Sequence, residues 1–184
     1  EINLADYFRA NDMSYEAIPA STSDETREGL ESGRCDTLTT DASALASQRS
    51  ALADPSAWVI LPEIISKEPL GPAVRQGDEA WADIVAWTLN AVIAAEEMGI
   101  TSANVDSYNA DTKNPQIKRL LGIEGSQGEQ LGLDAEWAKR AIKQVGNYGE
   151  IFERHIGVNT PIGLNRDINA QWTQGGLIYS PPFN

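Results

Sequence analysis

Apolar residues first recur at helical spacing in the opening stretch EINLADYFRAND, where Leu4, Ala5 and Phe8 share one face and polar Asn11-Asp12 ends the pattern. MSYEAIPA (13–20) then carries β-favouring Tyr15 and Ile18 before Pro19 and predicts a short strand. Thr22 and Glu25 have the spacing of a capping box, and Gly33 is placed to end a helix after Leu30. A strand over Asp36–Thr40, a helix over Ala42–Ala53, a turn at Asp54-Pro55 and a strand over Ala57–Pro62 follow. Helix and strand alternate with short turns, as in a sheet with crossover helices, so the predicted class is α/β.

After Pro62 the pattern changes. Pro69, Gly71, Pro72 and Gly77 surround one more extended segment, Leu70–Arg75, and the remainder is mainly helical. Asp78 is the predicted N-cap of a long helix to Met98, whose centre is apolar nearly all round and calls for cover on most sides; Trp81 and Trp87 are expected in that core. Shorter helices are predicted near 101–110 and 115–121, a glycine-rich loop over 122–132, and a helix capped by Asp134 with Ala138, Ala141, Ile142 and Val145 as its stripe. Gly146 and Gly149 separate it from YGEIFERHIG, and GGLIYSPPFN is an extended tail. These helices have one strand to pack against. Either they form a bundle of their own or they cover a sheet that this sequence lacks.

Charge and composition narrow the function classes. Twenty-seven acidic against fourteen basic residues give a net charge of −13, which repels phosphate backbones and anionic lipids, so no nucleic-acid partner is expected. The most apolar segment, IVAWTLNAVIAA (84–95), is 12 residues long against the ~20 that span a bilayer, so no membrane insertion is expected. Cys35 is the single cysteine, and one Cys with one His, His155, makes no metal site of ordinary spacing. No G-x-S-x-G nucleophile turn occurs, and the glycine cluster lacks a phosphate-loop pattern. The chain is not expected to be an enzyme or to hold a cofactor.

One stretch, GRCDTLTTDASAL (33–45), carries candidate binding chemistry. Asp41 follows the strand Asp36–Thr40 and precedes a helix, the end of a strand where ligands bind in open α/β sheets. Its spacing suits two roles: an N-cap for the helix amides, or a carboxylate turned to a cleft for a charge-assisted bond to an ammonium group. Thr39 and Thr40 add hydroxyls beside it, with Thr37 and Thr39 on one face.

Five blocks in order, ESGRCDTLTTDASALASQRSAL, VILPEIISKEPLGPAVRQGD, NPQIKRLLGIEG, VGNYGEIFERHIG and GGLIYSPPFN, resemble the periplasmic substrate-binding proteins of general L-amino-acid ABC transporters. The resemblance runs along nearly all of the chain. It implies a two-lobed, type II periplasmic-binding-protein fold, present here in part. Residues 1–63 would belong to the second lobe, 64–68 to the return hinge, and 69–184 to the returning, mainly helical part of the first lobe. It also implies that Asp41, with Thr39 and Thr40 next to it, binds the α-ammonium group of an L-amino acid, that an ABC transporter permease is a partner, and that the location is periplasmic. Family members are longer, and what the resemblance leaves unmatched is their amino-terminal half, with the first lobe's sheet and its carboxylate-binding arginine; Glu1 would stand where that half joins. From this deficit we expect a homo-oligomer, a complementing half on another chain, or an interaction module that has lost amino-acid binding.

Overall fold

In the computed structural model, residues 2–67 and 69–184 are described; Glu68 of the predicted hinge and Glu1 at the predicted join lie outside them. The chain divides into two compact units. The first takes in residues up to Gly71 together with Pro161–Leu164, and the second Pro72–Thr160 with Asn165–Asn184.

In the first unit, α1 (Ile2–Ala10), α2 (Ser23–Glu31) and α3 (Ala42–Ser50) are in place. Leu4, Ala5 and Phe8, the predicted face of α1, are half-buried, and the Phe8 ring meets Tyr15 at 4.7 Å. At the start of α2 the Glu25 amide donates to Thr22 Oγ1 (3.2 Å), while the Glu25 carboxylate accepts from the Ser21 amide (2.9 Å). The reciprocal arm of the capping box thus lands one residue early. Arg27 Nη1 donates to Gln48 Oε1 (2.8 Å), and the Ala53 amide donates to Glu31 Oε1 (2.7 Å), tying α2 to α3 and its exit. Leu30, Ala46 and Leu52 form the buried apolar set. It is a small core.

The predicted strands at 13–20, 36–40, 57–62 and 70–75 join no ladder among the described residues. Ala57 closes a 3-10 turn at Pro55–Ala57, and an isolated parallel bridge joins Gln171 and Ile178. The physical reason is plain. A helix satisfies its own backbone, whereas a strand exists only when a neighbour accepts and donates along its edge. Met13, Tyr15, Ile18, Val59 and Leu61 are correspondingly exposed. The helical part of the predicted α/β architecture is what the described residues display.

The second unit is built on α4 (Glu79–Glu97), against which α5 (Pro115–Leu120), α7 (Trp137–Val145) and α8 (Tyr148–His155) pack; α6 (Gln127–Gln130) is a single turn within the predicted glycine loop. Asp78 caps α4 as predicted, accepting from the Trp81 amide at 3.1 Å. The buried part of α4 is Ala91–Ala95, joined by Ile100, Val105, Leu120, Leu121, Trp137, Ala138, Ile142 and Phe183. Small residues on α4 let its neighbours approach closely. The amino-terminal half of the helix is less covered: Trp81 is exposed, and Trp87 is half-buried with its ring edge-on to Phe183 at 5.1 Å. The expectation of a core position is corrected for Trp81 and met in part by Trp87, which packs against the core cluster, because a pattern apolar all round marks what could be buried without supplying the surface that buries it.

Other boundaries shift locally. The predicted helix at 101–110 is one 3-10 turn, Val105–Ser107. Asp134 precedes rather than caps α7: its carboxylate accepts from the Glu136 amide (3.0 Å) and is paired with Arg140, while Val145, the last residue of the predicted stripe, is exposed. Gly149 lies inside α8, whose N-cap is Asn147, with a full capping box to Glu150. In the glycine loop, a Cβ at Gly122 (φ +71°) would stand 1.8 Å from the Ala135 carbonyl oxygen, and one at Gly128 2.3 Å from that of Asp134. These glycines allow two backbone segments to touch.

Candidate functional site

Asp41 occupies the N-cap position of α3, with its backbone in an extended conformation (φ −56°, ψ 147°). Its carbonyl oxygen accepts the first helical bond from the Leu45 amide (2.8 Å), but its carboxylate makes no capping bond. Thr22, Asp54, Asp78, Asn114 and Asn147 all do accept a first-turn amide through their side chains. The contrast gives a physical meaning to the carboxylate's direction: the nearest donors, three free amides of α3, are left for solvent or a ligand. Among the described residues no Lys or Arg pairs with Asp41 either. It is a half-buried carboxylate at a helix N-terminus, uncommitted to the helix it precedes.

Thr39 and Thr40 lie next to it and are exposed. Two cavities lie away from this trio. An open one of ≈ 430 Å³ runs beside the end of α1, from Ala5 to Tyr15; a smaller one of ≈ 120 Å³ lies between α4, Gln116 and Ser180–Phe183. Among the described residues no group of His, Cys, Asp and Glu is arranged to hold a metal ion. Cys35 is half-buried beside Gly29, and His155 accepts from Arg154 Nε at 3.3 Å on the surface of α8.

The second unit holds polar groups that sequence patterns did not single out. Glu150 accepts from the Ser102 hydroxyl (2.6 Å), the Ser102 amide (3.0 Å) and the Asn147 amide (2.8 Å). Burial works to raise its carboxyl, but these bonds and nearby Arg154 outweigh it, so the group sits below the ordinary Glu value. The capping-box spacing Asn147–Glu150 was the signal that could have exposed half of this network; its link to Ser102, 48 residues away, left none.

No protein-family model matches the sequence. The chain is 57% identical over 183 residues, all of it and 54% of the relative, to the glutamate/glutamine/aspartate/asparagine-binding protein BztA of Rhodobacter capsulatus. It is 53% identical over 184 residues, 99% of the chain and 54% of the relative, to the general L-amino acid-binding periplasmic protein AapJ of Rhizobium johnstonii. A solved ABC transporter/periplasmic binding protein from Brucella ovis, with glutathione bound, is similar at a TM-score of 0.93 and 54% identity, matching 100% of this chain and 57% of its own. The chain spans about half the length of the curated relatives it matches.

Proposed function

We propose that the chain, which matches amino-acid-binding proteins and a periplasmic binding protein of ABC transporters over about half of their length, is part of a protein of that kind and supplies one side of the binding surface for an L-amino acid. Asp41 is the acceptor for the α-ammonium group in this reading, with Thr39 and Thr40 as neutral neighbours. The observation that carries it is the Asp41 carboxylate standing at the N-cap of α3 without capping it. A carboxylate held by backbone geometry and left unpaired suits a charge-assisted bond to an incoming cation. The ligands of BztA, glutamate, glutamine, aspartate and asparagine, are the first to try, and the general L-amino-acid binding of AapJ extends the choice to the others.

The mechanism is capture and delivery, with no bond made or broken. One anion on an open surface cannot desolvate both charged ends of an amino acid, so the opposing contacts, including those to the ligand carboxylate, belong to the remaining half of a full-length member. An ABC transporter permease is the delivery partner, and the setting is the periplasm. No helix among the described residues is long and apolar enough to cross a membrane.

Titration calorimetry of L-glutamate, L-glutamine and a mixture of the common L-amino acids into the chain, and into its Asp41→Asn variant, tests the reading. The variant is expected to bind about 10–150-fold more weakly, the equivalent of roughly 1.5–3 kcal/mol for a bond to a charged group. Equal affinity in the two proteins would remove Asp41 from the site. A second reading, an oligomeric interaction module without amino-acid binding, is favoured by the exposed large side chains Val59, Leu61, Ile64, Trp172 and Leu177. It predicts no heat and no rise in melting temperature with any amino acid.

A further inference from the structure

The segment Arg166–Ile178 of the second unit closes on itself. Leu177 N–H donates to Ile168 O (2.8 Å), Ile178 N–H to Ala170 O (3.1 Å), Trp172 N–H to Ile178 O (2.9 Å) and Gly176 N–H to Gln171 O (3.1 Å). A Cβ at Gly176 would lie 1.9 Å from the Ala170 carbonyl oxygen, so the loop is tight as well as closed. Three of its large apolar side chains, Ile168, Trp172 and Leu177, are more than half exposed, and Ile178 is half-buried. Between Asn165 and Pro182 the one fully buried side chain is polar: Gln171, 1% exposed.

This loop is therefore attached to the helical core by polar bonds, and they converge on one carboxylate. Arg166 pairs with Glu96 in fork geometry (Nη1–Oε1 2.9 Å, Nη2–Oε2 3.1 Å), and Gln171 Nε2 donates both to Glu96 Oε2 (3.1 Å) and to Ile93 O (3.2 Å). The Arg166 guanidinium lies over the rings of Tyr148 (5.2 Å) and Phe152 (5.0 Å), and Gly149 supplies the room: a Cβ there would be 2.9 Å from Glu96 Oε1. Both acceptors of Gln171 Nε2 fix the amide's orientation, which leaves buried Oε1 without a hydrogen-bond partner among the described residues. An unpaired buried acceptor costs free energy that release to water recovers.

We infer that Glu96, Arg166 and Gln171 form a clasp by which the closed loop 166–178 is held to the core and released from it as one unit, while the helices stay folded. The device is independent of the amino-acid-binding reading and lies in other residues. Opposite contributions set its balance. The half-buried fork and the ring contacts favour the held state, and hydration of Gln171 Oε1 and of the ion pair favours release.

Hydrogen–deuterium exchange on the whole chain and on Glu96→Gln tests it. The amides of Trp172, Gly176, Leu177 and Ile178 are expected to exchange as a group and at least about tenfold faster in Glu96→Gln, while those of Ala91–Ala95 and Ala138–Ile142 are unchanged, the signature of a local cooperative opening. Arg166→Gln removes the other arm of the fork and is expected to give the same pattern. Unchanged loop exchange in both variants would mean that the loop's own bonds hold it in place, and would overturn the clasp. Acceleration of α4 and α7 in step with the loop, or failure of both variants to fold, would overturn it too, by making the cluster part of the core.

Discussion

Asp41 and Asp78 are the same residue type at the same position of a helix, yet one carboxylate caps and the other does not. The consequence is a difference in what each is worth to stability. Asp41→Asn is expected to leave the urea midpoint almost unmoved, within ~0.5 kcal/mol, because no capping bond is lost. Asp78→Ala should cost about 1 kcal/mol, the usual contribution of an N-cap. A large loss for Asp41→Asn in the absence of ligand would mean that its carboxylate supports α3 in solution. Gly128 makes the complementary point about backbone. Its substitution by Ala would drive Cβ into the Asp134 carbonyl, 2.3 Å away, and should destabilise the second unit by more than about 2 kcal/mol in the same measurement. The N-cap position of Asp41 was legible from its place before ASALASQR. Which way the carboxylate turns was not, because a short side chain at an N-cap chooses between amides and cleft through contacts that sequence neighbours do not encode.

At the scale of elements, α4 shows how far a pattern reaches. Its apolar centre predicted cover on most sides, and burial is complete over Ala91–Ala95, where α5, α7 and α8 supply the cover. Trp87, half-buried against Phe183, should accordingly cost about 1–3 kcal/mol on replacement by Ala, below the ~3–5 kcal/mol of a fully enclosed Trp. Ile142, fully buried on α7, should cost roughly 2–5 kcal/mol despite its smaller size. A reversed order would place the centre of the core at the other end of α4. The junction between α8 and the Thr101–Asn104 turn carries a pH dependence. The Glu150 carboxyl is lower in the folded than in the unfolded chain, so between the two values the unfolded state holds more protons and stability rises with pH. The stabilisation is present above the ordinary Glu value, ~4.3, and is lost as pH falls below it. Denaturation curves on either side of that value should converge for Glu150→Gln and diverge for the parent chain.

At the scale of the molecule, the balance between covered and uncovered apolar surface is the main feature. Trp81, Ile168, Trp172, Leu177 and Tyr179 in the second unit, and Val59, Leu61 and Ile64 in the first, are exposed. Surface of this kind calls for a partner. We predict that the purified chain is an oligomer by light scattering rather than a 19.9 kDa monomer, and that adding the complementary half of a full-length relative disperses the oligomer into a one-to-one complex. A stable monomer at high concentration would show that this surface is tolerated in water.

Helix positions, most of their caps, the glycine breaks and the N-cap position of Asp41 were determined by the sequence itself, because each rests on bonds and steric limits within a few residues. The family blocks added the architecture to which these pieces belong. Tertiary structure alone decided the rest: that the predicted strands join no ladder among the described residues, which half of α4 is enclosed, that Glu96 meets Arg166 and Gln171 from 70 and 75 residues away, and that Asp41 leaves its helix uncapped. These outcomes depend on surfaces brought together from distant parts of the chain. A strand or a buried charge has no stable state until that second surface arrives, whereas a helix already satisfies most of its backbone alone.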